Sequence, residues 1–126
     1  NLFRLGRFDL PNESLIDYFS IGAKSADIEL KSITFMAVNR YAGFVLLKRG
    51  QESRKTIDQL DLIFKVINAI GLKNEKVVKN MLNAAEKISP NGGVNATAFI
   101  VMMCNSEVNG IKDYARKIAR GLGIRF

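Results

Sequence analysis

Nineteen lysines and arginines face twelve acids in this 126-residue sequence, and there is no histidine. Side chains of that kind bind anions, and they gather in three stretches. The last is the run 109–126. At about 100° per residue, Lys112, Arg116, Lys117 and Arg120 share one side of a helix, with Asp113 the only acid among them. The second is 74–88, where Lys76, Lys79, Asn80, Asn83 and Lys87 share a side and Glu75 and Glu86 border it. Lysines meet phosphates as mobile point charges, and asparagine amides pair with phosphate, sugar or base edges. The third is Lys48-Arg49-Gly50-Gln51-Glu52-Ser53-Arg54-Lys55, with four cations and one acid. Its glycine and serine leave backbone N–H groups accessible, and arginine adds bidentate geometry. Each stretch also has an ordinary reading: cations near a helix C-terminus are favoured by the helix dipole, and solvated faces and loops are charged. Three such groups on separate elements together make a better case for an anion-binding surface than any one alone.

Other chemistries find few residues to carry them. Without histidine there is no Ser-His or Cys-His nucleophile pair and no imidazole base. The acids are scattered; Asp58 and Asp61, three apart, read as the solvated side of a helix. No glycine pattern matches a phosphate-binding loop or a dinucleotide fingerprint. One cysteine excludes an intramolecular disulfide, and Cys104, inside Phe99-Ile-Val-Met-Met-Cys104, reads as a buried small hydrophobe in a reducing compartment. No catalysis, cofactor or metal is therefore expected. Two asparagine sequons, at Asn12 and Asn95, read better as helix starts than as glycosylation sites.

The net charge of +7 is unevenly placed: −2 over residues 1–30 and +9 over residues 31–126. A basic body suggests nucleic acid, an anionic membrane surface or an acidic protein as partner. No apolar run approaches the roughly 18 residues of a membrane span. Tyr41 beside Arg40, and Tyr114 near Arg116, could stack on unpaired bases, although Tyr114 falls on an apolar stripe and suits a core.

The elements that must position these groups are helices. Pro11–Ser14 opens one that stops at Gly22. Ser25 can cap a second region running to Gly50, with Asn39 or Gly43 as potential breaks. Thr56-Ile-Asp-Gln59 has the form of a capping box, followed by the stripe Ile57, Leu60, Ile63, Phe64, Ile67, Ile70 and a stop at Gly71. Asn74 caps the next helix, with the stripe Val77, Val78, Met81, Leu82, Ala85, Ile88; Ser89-Pro90 ends it. The run from Asn95 to Cys104 is apolar almost all round and belongs inside a bundle. The final helix starts at Asn109 and sets Ile111, Tyr114, Ala115, Ile118, Ala119 and Leu122 against a core.

The expected fold is all-α: a compact bundle of six or seven helices around the apolar helix at about residues 95–104, forming a single domain over 11–126. Residues 1–10 form an apolar arm. Its Leu2, Phe3, Leu5 and Phe8 either cover the chain's own core or dock on another subunit. Beginning at Asn1, the sequence is expected to be a fragment or a processed form. The leading functional expectation is a non-enzymatic domain that binds RNA, or single-stranded nucleic acid, through the phosphate backbone, in the cytoplasm, nucleus or a viral nucleoprotein assembly. Its expected contacts are Lys48, Arg49, Arg54, Lys55, Lys76, Lys79, Lys112, Arg116, Lys117 and Arg120. Two alternatives stand beside it. One is a helical assembly module whose basic surface meets an acidic protein. The other is a helix-turn-helix DNA-binding domain, with Gly71-Leu-Lys-Asn74 as the turn, although Ile67 and Asn80 fit that motif poorly.

Overall fold

A computed structural model of the chain describes residues 12–48, 50–67 and 72–126. Six α-helices occupy them: α1 (Asn12–Lys24), α2 (Ile28–Lys48), α3 (Gln51–Val66), α4 (Glu75–Ile88), α5 (Val94–Met103) and α6 (Asn109–Leu122). A single 3₁₀ turn, Ser89–Asn91, joins α4 to α5, and the described residues contain no strand. The expected all-α bundle is what forms. The expected arm, with Leu2, Phe3, Leu5 and Phe8, lies outside the described residues.

Short connections make successive helices antiparallel, so alternate helices run side by side in two layers. The odd layer holds α1, α3 and α5, and the even layer α2, α4 and α6. Particular contacts fix the directions. Ser53 on α3 donates to the Val45 carbonyl at one end of α2, while Phe64 meets Phe35 towards the other, so α2 and α3 are antiparallel. Asn80 of α4 donates to Ser32, and Lys87 lies over Gly43, so α4 runs parallel to α2. Glu75 sits against Gly110, and Asn83 accepts from Tyr114, so α6 runs parallel to α4. The molecule is therefore three helical hairpins stacked in a row, with the core between the layers.

That core includes Phe19, Phe35, Leu60, Ile63, Met81, Leu82, Ile88, Ile100 and Ile111, all inaccessible to solvent or nearly so. Three phenylalanines bridge it: Phe64 is 5.6 Å from Phe35 and 5.4 Å from Phe99, both pairs tilted, contributing about 0.5–1.5 kcal/mol each beyond area burial. Helix α5 is packed by α3, α4 and α6 rather than from every side, and Val94, Ala98 and Met102 line its exposed edge.

Several local expectations change. Residues 28–48 form one uninterrupted helix through both Asn39 and Gly43, and Gly43 lies on the side towards α4, beside the Lys87 ammonium. Asp27 rather than Ser25 caps it, accepting from the Leu30 N–H. The box at Thr56–Gln59 is not a helix start: α3 begins at Gln51, and Thr56 is buried within it. Asn74 does cap α4, accepting from the Val77 N–H at 3.0 Å. Asp61 is the larger surprise. It is buried, and its carboxylate accepts from the Asn95 and Ala96 N–H groups and the Asn95 amide, capping α5 from α3.

Candidate nucleic-acid interface

The two layers differ in charge. Helices α2, α4 and α6 carry ten cations and four acids, a net of +6, while α1, α3 and α5 carry four cations and five acids, a net of −1. Of the even layer's cations, Lys31 is buried and spent internally: its ammonium donates to the Ala23 carbonyl at the end of α1, and burial pushes its pKa down.

Helix α4 forms the floor of the basic face, because its apolar stripe is committed to the core and α2 and α6 flank it. Towards α2, Asn80 donates to Ser32, Lys76 lies 3.7 Å from Glu29, and the Lys87 ammonium lies across Gly43. Towards α6, Asn83 accepts from the Tyr114 hydroxyl, and Lys79 sits 5.4 Å from the centre of the Tyr114 ring. Lys79 also lies 3.5 Å from Glu75. The ion pairs to Glu29 and Glu75 are solvent-exposed, so they hold these lysines weakly. One turn before Gly43, Asn39 has a buried side-chain oxygen without a hydrogen-bond partner, beside this same seam. An orphaned acceptor there costs about 1–3 kcal/mol until a donor reaches it.

The expected contacts divide among several surfaces. Lys76 and Lys79 sit on the α4 floor. Lys117 joins them, being three residues from Tyr114 and on its flank of α6. Lys48 stands at the end of α2, its ammonium 4.6 Å from the Phe44 ring centre. Lys112, Arg116 and Arg120 take the other flank of α6, away from α4. There the two guanidinium groups lie 5.3 and 5.6 Å from the Phe126 ring centre, and Arg116 donates to the Cys104 carbonyl. Arg54 and Lys55 belong to α3, in the opposite layer. Arg49 lies outside the described residues. Lys76 and Lys79 begin α4 while Lys48, Arg54 and Lys55 cluster near its far end, so about 20 Å of helix separates the second group from the third. Lys87 links them. It belonged to the polar side of 74–88 in the sequence, but its position beside α2 was not readable from spacing.

Next to the third group a cleft of about 790 Å³ opens between the α2–α3 and α4–α5 turns. It is lined by Leu46, Gly50, Ser53, Arg54, Ile57, Asp58, Pro90, Asn91 and Gly92. The described residues contain no cluster of three or more acidic or cysteine side chains suited to a metal ion. None of their helices is long and apolar enough to cross a membrane. Comparison with protein families, curated proteins and solved structures finds no match to this chain.

Proposed function

We propose that the chain is a non-enzymatic helical module that binds single-stranded nucleic acid, RNA foremost, along the face of α2, α4 and α6. The observation that supports this reading is the group of solvent-accessible lysines over the α4 floor, Lys76, Lys79, Lys87 and Lys117, on the layer whose helices carry +6 against −1 for the other. Lys48, Lys76, Lys79, Lys87 and Lys117 would neutralise phosphates, with Asn80 and Asn83 between them. Electrostatics would supply most of the affinity. Major-groove reading is a poorer fit, because a recognition helix must enter a groove about 12 Å wide and α4 is flanked on both sides by parallel helices.

Titration of a fluorescent single-stranded oligonucleotide at several salt concentrations tests the reading. The triple reversal Lys79→Glu, Lys87→Glu, Lys117→Glu should weaken binding and flatten the slope of log affinity against log salt by about two units, at about 0.7 for each phosphate left without its cation. The charge-matched triple Lys24→Glu, Lys55→Glu, Lys65→Glu, on the odd layer, should leave most of the affinity. Equal losses in both triples, or no binding by the parent chain at low salt, would overturn the proposal.

A second reading draws on the odd layer. Ile21, Leu62, Val94 and Met102 are all more than 40% exposed there, on a surface with almost no net charge. That surface suits an assembly module, which sedimentation of the Val94→Ser, Met102→Ser variant beside the parent chain would detect.

A further inference from the structure

We infer that the cleft between the α2–α3 and α4–α5 turns is a pocket for one nucleotide unit. As the place of a strand's terminal nucleotide it rests on the nucleic-acid reading; as a binding site it stands on its own geometry. Its volume of about 790 Å³ lies within the range of small-molecule pockets and far exceeds what a bare anion fills. Leu46 and Pro90, with the buried Ile57 behind them, supply an apolar surface of the kind a base ring covers.

The polar groups match the rest of a nucleotide. Arg54 and Asp58 stand one turn apart on α3 and both line the cleft, yet no ion pair joins them. Opposite charges at that spacing usually meet. Here the guanidinium is left for a phosphate, which it can grip through two parallel hydrogen bonds. The carboxylate is left for donors such as sugar hydroxyls or base N–H groups. Asn91 donates its amide to the Lys87 carbonyl at 2.8 Å, so its side-chain oxygen remains as a further acceptor. Ser53 donates its hydroxyl proton to the Val45 carbonyl, so it faces the cleft as an acceptor too. Gly50 and Gly92 form bare rims at φ 138° and 96°, with open space where a side chain would project. A ligand can approach the backbone closely at both. A single cation opposite several acceptors complements the one anionic group and several donors of a nucleoside monophosphate better than inorganic phosphate.

The test is a titration of the ¹⁵N-labelled chain with uridine monophosphate, adenosine monophosphate, uridine and inorganic phosphate, followed by amide chemical shifts. Both nucleotides should shift Gly50, Ser53, Arg54, Asn91 and Gly92 saturably. Uridine and phosphate should each bind at least about ten-fold more weakly, the loss expected for one charge-assisted hydrogen-bond pair. Arg54→Ala should reduce nucleotide affinity to that of uridine. Asp58→Asn should weaken uridine and nucleotide alike and leave phosphate unchanged. Both positions are exposed, so melting curves should match the parent chain. Absence of saturable shifts, shifts centred elsewhere, equal binding of phosphate and nucleotide, or indifference to Arg54→Ala would overturn the inference. Oligonucleotide binding by the even layer is measured separately, so failure here and failure there are distinct results.

Discussion

At the scale of single residues, buried polar groups show where local sequence stops being informative. Asp58 and Asp61 look alike in the sequence, but only Asp61 is buried, and its partners at Asn95 and Ala96 lie more than thirty residues away. A cap supplied across layers has no local signature, whereas Asn74, which caps its own helix, was legible. Thr56 shows the converse: its local spacing is right for a cap, but α3 begins five residues earlier. Asp61→Ala should lower stability by about 2–3 kcal/mol in denaturant melts, since it strips three hydrogen bonds from a helix N-terminus and leaves buried donors unmet. Cys104 is a different case, a thiol whose burial was expected from its apolar neighbours. Burial raises its pKa above the ordinary 9.0, partly offset by the charges of Arg116 and Arg120. Native chain at pH 8 should therefore react with a thiol reagent only as fast as it opens, and denaturant should release the reaction. Because the native thiol holds its proton where the unfolded one loses it, this group's contribution to stability falls as pH climbs past 9.0 towards the raised native value.

At the scale of elements, apolar stripes located the helices, but one stop signal misled, since α3 ends at Val66 with Ile67 already extended rather than running on to Gly71, and the helices' partners were not visible. Two glycines inside helices make the point. A methyl group on Gly22 would collide with the Thr34 side chain, wedging α1 away from α2. On Gly43 it would meet only the tip of Lys87, at 3.0 Å. Gly22→Ala should therefore destabilise by about 1–3 kcal/mol, as overpacking does. Gly43→Ala should be neutral or stabilising by up to about 1 kcal/mol, the helix-propensity gain, with Lys87 displaced. Denaturant midpoints of the two variants check both signs. In the sequence both residues looked like places where a helix could stop or bend; only the neighbouring helix distinguishes them.

At the scale of the whole molecule, the excess of cations was readable but not its side. Six helices joined by short turns alternate in direction, which assigns 28–48, 75–88 and 109–122 to one layer. The same alternation moved Arg54 and Lys55 to the other layer and left Arg116 and Arg120 around the flank of α6. For the proposed ligand, replacing sodium chloride at 50 mM by 200 mM should weaken binding by a factor that grows with each phosphate engaged, about 0.7 units of slope apiece. The hairpin stack also bears on how the chain reaches its structure. Each helix meets those next to it or one removed in sequence, but the most extensive seam, α2 with α4, closes a long loop: Ser32 and Asn80, which meet there, are 48 residues apart. Folding should accordingly be slower than that of helical proteins connected only between neighbours, which fold in microseconds to milliseconds; stopped-flow mixing checks this. Amide exchange should be slowest along the α2–α4 seam and faster in α1 and α6, the first and last of the six helices, each packed mainly on two others. The last helix can then detach while the rest of the stack remains closed, so a protease acting near Val108 would release α6 before the rest of the chain unfolds.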